Sequence, residues 1–173
     1  MNSDKPIDAS AQTQASAQFL TFLLADGVYG MDIATVREII QHGQMTSVPL
    51  MPDFVRGVIN LRGAVVPVID LQARLGKAPA VVGKKTCIVI FDAQRDGERV
   101  ELGLMVDAVS EVIEIPFSQI EPGPSFGSAV RREFIKGMGK LGGRFVILLD
   151  PERALDVEEM ADLVERSQDE AVV

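Results

Sequence analysis

Tryptophan is absent from the 173 residues, tyrosine, histidine and cysteine occur once each, and aromatics make up only 5%. One cysteine excludes an internal disulfide, and with one histidine no Cys/His metal cluster can be assembled. A reducing compartment fits that usage. Positive charge is also scarce: 17 Lys and Arg against 25 Asp and Glu give a formal charge of −8 and a pI near 4.7. That balance disfavours phosphate backbones and anionic lipid as partners, and a nucleic-acid-binding small barrel would need a basic, aromatic-bearing face that one tyrosine cannot supply. The longest apolar runs, Thr86 to Phe91 and Phe145 to Leu149, are strand-length and far short of the ~20 residues of a membrane helix. No basic segment followed by an apolar core opens the chain, so no signal peptide and a cytoplasmic location are expected.

With so few aromatics the core rests on Val, Ile and Leu, which favour pleated, half-buried surfaces. One stretch organises the rest. FVRGVINLRGAVVPVIDLQARL, Phe54 to Leu75, reads as a strand, a turn at Arg62-Gly63, a second strand, and a helical turn capped by Asp70. The device recurs without a gap in FIKGMGKLGGRFVILLDPERAL, Phe134 to Leu155, at a constant offset of 80 (134 − 54). Upstream, Gly30, Val36, Glu38 and Ile40 match Gly103, Val109, Glu111 and Ile113 at an offset of 73 (103 − 30). The difference calls for a seven-residue insertion in the Pro-, Gly- and Ser-rich loop after Ile113. Each half therefore runs strand, strand, Val-x-Glu segment, loop, hairpin, capped turn, which is one supersecondary unit used twice.

Taken in order, residues 1–17 are polar and small and read as a tail. Phe19 to Leu24 and Val28 to Ile33 form a hairpin about Ala25-Asp26-Gly27. Ala34 to Ile40 satisfies neither the helical nor the strand period well and is taken as a short helix, with a strand left open. Met45 to Val48 is expected as a strand. In the second half Thr86 to Phe91 and Val100 to Val106 are strands, and apolar Val109, Val112, Ile113 and Ile115 follow before Pro116. Asp150-Pro151 starts a helix, and Val157, Met160, Ala161 and Val164 recur at helical spacing as an amphipathic closing helix over 156–167, before a tail at 168–173. The fold expected is mainly β: two five-stranded barrels side by side, roughly 18–80 and 84–155 with boundaries free to interleave. Units of about 70 residues are marginal alone and should share an interface.

YGMDIATVREII, MPDFVRGVINLRGAVVPVIDL and FIKGMGKL resemble the CheW family, and the resemblance spans roughly Phe19 to Leu155. It implies a CheW-like domain over 18–157 made of two SH3-like barrels. It implies a non-enzymatic adaptor, without cofactor or metal, that couples chemoreceptors to the histidine kinase CheA in arrays at the inner membrane and does not itself insert there. There is no room for a kinase core or a receiver domain. The resemblance implies a receptor groove between barrels, lined by Ile33, Val36, Cys87, Val109 and Val112 with Arg62 nearby, and a kinase contact on the first barrel at Glu38, Arg56 and Gly57. By sequence alone the apolar members read equally as core. Arg62 reads as a solvated turn charge or as a donor to a partner, because its counterpart is Gly142, which suits the turn better. Glu38 and Arg56 read as a surface pair or as unrelated charges, and Gly57 as a site of close approach or a requirement of the fold that it shares with Gly137. An enzyme is disfavoured: His42 has no companion base or nucleophile, Cys87 is in an apolar run, and Asp70 and Asp150 are explained by capping.

Overall fold

A computed structural model describes residues 16–25, 27–95, 97–122 and 134–155. The strands are β1 (Ser16–Leu24), β2 (Gly27–Asp32), β3 (Val36–Gln41), β4 (Val55–Leu61), β5 (Ala64–Asp70), β6 (Cys87–Arg95), β7 (Glu98–Val106), β8 (Ala108–Pro116), β9 (Ile120–Glu121), β10 (Ile135–Leu141) and β11 (Arg144–Leu149). Two short helices follow the hairpins, α1 (Leu71–Arg74) and α2 (Pro151–Leu155). The expected helix over 156–167 and the tails before Ser16 and after 167 lie outside the described residues.

The molecule is mainly β, with two sheets, and sheet membership interleaves the two halves of the chain. One sheet runs β3-β6-β7-β5-β4 and the other β8-β1-β2-β11-β10-β9. The opening hairpin of each half, β1-β2 or β6-β7, thus crosses to complete the sheet of the other half. Two parallel junctions stitch the exchange, Val68 beside Gly103 and Leu148 beside Gly30. These are equivalent pairs under the two offsets.

Both sheets close in the same way. Past β3 the chain returns to the far edge, where Thr46 exchanges backbone hydrogen bonds with Val58 of β4 at 2.9 and 2.8 Å. Past β8 a 3-10 turn leads into β9, which pairs Glu121 with Met138 and Ile120 with Gly139 of β10. Each barrel has five long strands and a short closing piece, which covers part of the far edge strand. The first closing piece is a single bridge at Thr46 rather than the strand expected over 45–48, and the chain turns at Pro49-Leu50, where Leu50 has φ 64°.

Three apolar clusters result. Each barrel has a small interior: Val66, Val68, Ile88, Ile90 and Met105 in one, Phe19, Ile115, Val146 and Leu148 in the other. The largest lies between them and draws on both: Leu20, Phe22, Tyr29 and Met31 from one sheet, Val89, Phe91, Leu102 and Leu104 from the other. The barrels therefore share more core than either holds alone, as expected of units too small to stand apart.

The short helix expected over 34–40 is not formed. Ile33–Thr35 make a 3-10 turn, with the Asp32 carboxylate accepting from Ala34 N at 2.9 Å, and Val36 onward is strand. A β-bulge between Val36 and Glu38 explains why neither period fits that stretch. Ser16 and Ala17, read as tail, belong to β1, paired with Pro116 and Ile115.

Candidate protein-docking interface

The apolar candidates are placed by two equivalent bulges. In β8, Val109 stands across from Phe22 and Val112 across from Leu20, while Ser110 and Glu111 share the place opposite Thr21. The Thr21 hydroxyl fixes the irregularity, donating to Glu111 O at 2.7 Å and accepting from Glu111 N at 3.1 Å. The extra residue puts Val109 and Val112, three apart, on the same face, across from members of the central cluster. In β3 the bulge at Arg37 does the same for Val36, across from Phe91, and Ile39, across from Val89. Ile33, Val36, Cys87 and Val109 are half-buried against the central cluster, whereas Val112 and Ile39 remain 49% and 41% exposed. Ile39 was not among the sequence candidates, although the 73-residue offset that relates Val36 to Val109 relates it to Val112. Cys87 pairs with Gln41 and Val106, its thiol donating to Lys85 O at 3.3 Å.

Arg62 lies apart from this apolar set. It occupies the β4-β5 turn at φ 53°, followed by Gly63 at 85°; the corresponding turn has glycine at both places, Gly142 at 57° and Gly143 at 80°. Its guanidinium reaches Glu38 Oε1 at 2.7 Å and Glu101 Oε2 at 3.9 Å. The hydrogen bond and charge of Glu38 raise the Arg62 pKa above the usual arginine value. The pair belongs to a larger lattice: Arg37 meets Asp92 at 3.4 Å and Glu101 at 3.7 Å, and Arg99 meets Asp92 at 3.7 Å. These groups cover the mouth of the five-stranded barrel, because Glu38 stands across from Ile90 of that interior and Asp92 across from Glu101. Glu38 is therefore the partner of Arg62, not of Arg56.

Arg56 is turned to internal work. It donates to Asp70 Oδ2 at 3.3 Å and to Ala80 O at 3.2 Å. Asp70, fully buried, also accepts from Ala73 N at 3.2 Å as the α1 cap and from Ala80 N at 2.9 Å, so one carboxylate pins the hairpin, the helix and the following linker. Gly57, at φ 154°, is pressed against the closing segment: a Cβ there would lie 2.5 Å from Thr46 O. At Gly137 a Cβ would meet Ile120 Cγ2 at 2.7 Å and Glu121 O at 3.1 Å. Both glycines let the closing piece reach the far edge strand, so each is needed by the fold.

Chemically these are candidate docking surfaces: on each bulged strand an apolar pair with one member half-buried and the other exposed and, separately, a lattice of ion pairs over one barrel mouth. Among the described residues no cluster of His, Cys, Asp or Glu could hold a metal ion. His42 is tied through its backbone N to Thr86 O at 3.1 Å, and Asp70 and Asp150 serve α1 and α2 as caps. A duplicated β scaffold with exposed apolar and charged faces is the class that fold and surfaces define. Comparison with known proteins makes it particular. Residues 18–159 match the CheW-like domain model. The chain is 40% identical over 144 residues to the chemotaxis protein CheW of Klebsiella aerogenes, covering 83% of this chain and 84% of that protein. It is 34% identical to the CheW of Rhizobium meliloti over 85% and 92% of the respective chains. The crystal structure of the scaffolding protein CheW of Thermoanaerobacter tengcongensis superposes with a TM-score of 0.69 at 36% identity, covering 78% of this chain and 88% of that one. The chain belongs to the CheW-like family, and its role is that of a non-catalytic chemotaxis scaffold.

Proposed function

We propose that this chain couples chemoreceptors to the histidine kinase CheA. The receptor's helical tip lays an apolar stripe against Val36, Ile39, Val109 and Val112, with Ile33 and Cys87 at the border, in the helix-in-groove mode. The kinase meets the charged mouth of the five-stranded barrel at Glu38 and Arg62. Arg56 and Gly57 contribute by holding β4 and its closing segment in shape. Arg62, assigned to the receptor by resemblance, joins the kinase set on its 2.7 Å link to Glu38. Recruitment to arrays at the inner membrane follows through the receptors; no helix among the described residues is long and apolar enough to cross a membrane.

The observation that carries the reading is the repeated bulge. Both halves use it to turn a second apolar side chain toward the shared core and then leave that side chain half in water, which a purely structural strand would not need. Each contact need only be micromolar, about −8 kcal/mol, because linkage within an array multiplies weak contacts. Titration of a receptor signalling tip tests it: Val112→Asp should weaken receptor binding about tenfold or more while the protein keeps its thermal midpoint within a few degrees. Undiminished binding would remove the groove.

A further inference from the structure

The mouth of the six-stranded barrel holds a pocket of ≈ 120 Å³ where the five-stranded barrel has its ionic lattice. The correspondence is position by position. Leu23 and Val28, paired across β1 and β2, stand where the other barrel pairs Asp92 with Glu101. Ser110 replaces Arg37, and Gly142 replaces Arg62. Glu111 remains in the place of Glu38, but its arginine is missing, and it makes no ion pair among the described residues. Leu23, Leu141 and Phe145 at the rim are 40%, 40% and 51% exposed. Arg144, exposed on the same rim, also has no ion pair among the described residues.

We propose that this pocket is a second docking site, and that its occupant is a segment of a partner protein presenting a basic side chain next to an apolar one. The template for the occupant is within the molecule. In the five-stranded barrel a guanidinium from the hairpin turn binds Glu38 at 2.7 Å and lies over the barrel mouth. At the other mouth the same carboxylate position is kept, the covering cation is deleted, and the acidic floor is replaced by leucine and valine. A basic residue from outside would find an unpartnered carboxylate, an apolar channel for its stem and the face of Phe145 beside it. Arg144 disfavours a run of several cations, which limits the match to one basic group.

The test uses the full chain, ¹⁵N-labelled, titrated with acetyl-Leu-Arg-Leu-amide and with acetyl-Leu-Glu-Leu-amide. The arginine peptide should shift resonances around Leu23, Ser110 and Phe145 saturably, and bind about tenfold or more tighter than the glutamate peptide. Glu111→Gln removes the charge. Gly142→Arg supplies the cation in cis at a position of φ 57°, with nothing within 4 Å of a Cβ and with Arg62 as precedent for the conformation. Each should weaken the arginine peptide about tenfold or more, with the dispersed spectrum of each variant reporting that it is folded. Equal or better binding of the glutamate peptide would assign the pocket to Arg144 and overturn the proposal. So would undiminished binding in either variant, absence of saturable shifts at the pocket, or concentration-dependent shifts there without peptide, which would assign it to a second copy of the chain.

Discussion

Arg62 occupies a left-handed backbone position that glycine fills in the corresponding turn, and L residues enter that region at a cost. The exposed link to Glu38 offsets it only weakly, since pairs of this kind are screened by solvent. Arg62→Gly should therefore be close to neutral in chemical denaturation, while kinase activation in a reconstituted receptor–kinase assay falls. Full activation in a variant of unchanged stability would reduce Arg62 to a turn residue. Gly57 makes the opposite case. Gly57→Ala drives a methyl group toward Thr46 O, a backbone atom, and should cost about 1–3 kcal/mol in a denaturant titration. Gly137→Ala meets a side chain first, Ile120, and should cost less. If the two substitutions were equal, or Gly57→Ala harmless, the close approach of the closing segment would be wrong. Loss of kinase binding in Gly57→Ala would report the fold, so the charge variant Glu38→Lys is the cleaner probe of that face. It should weaken kinase binding more than receptor binding.

At the scale of elements, the bulged strands decide which side chains turn toward the central cluster. The sequence announces β3 poorly because Arg37 interrupts the alternation, and a short helix was the expected outcome. Its equivalent in the second half, Val109 to Ile115, carried no assigned state in the sequence; it is strand in the structure, and the offset of 73 that relates the two segments relates Ile39 to Val112. The hairpins were legible almost to the residue, since turn glycines and the Asp70 and Asp150 caps are local signals. Ion pairs were not legible: Glu38 lies on β3 and Arg62 in a turn 24 positions later (62 − 38), and only the folded sheet decides that Arg62 and not Arg56 meets it. Ile39→Asp and Val112→Asp should have matched effects, each weakening the receptor tip about tenfold or more for about 1 kcal/mol or less of stability. A large stability loss at either position would mean that the strand faces inward there.

For the whole molecule, duplication was visible in the chain and the exchange of hairpins was not, because a repeat leaves the same spacing whether each opening hairpin stays with its own half or crosses. The crossing makes the central cluster continuous, and Arg74 shows how one residue can serve both halves. Its guanidinium lies 4.8 Å from the ring centre of Phe54 and 5.7 Å from that of Phe134, the equivalent residue, and its Nε donates to Ala154 O at 2.7 Å. The corresponding position is Ala154 itself, so nothing in the repeat pointed to it. Arg74→Ala should cost about 1–2 kcal/mol, and Arg74→Lys should recover less than half of that, since an ammonium cannot present a plane to two rings. Chemical denaturation of the two variants checks both.

The decisive measurement is a calorimetric titration of a receptor signalling tip and, separately, of the CheA regulatory domain into Val112→Asp and Glu38→Lys. Receptor affinity should collapse in the first with kinase affinity kept, and kinase affinity should collapse in the second with receptor affinity kept. Parallel loss of both ligands in either variant would contradict two separate docking faces on one interleaved scaffold.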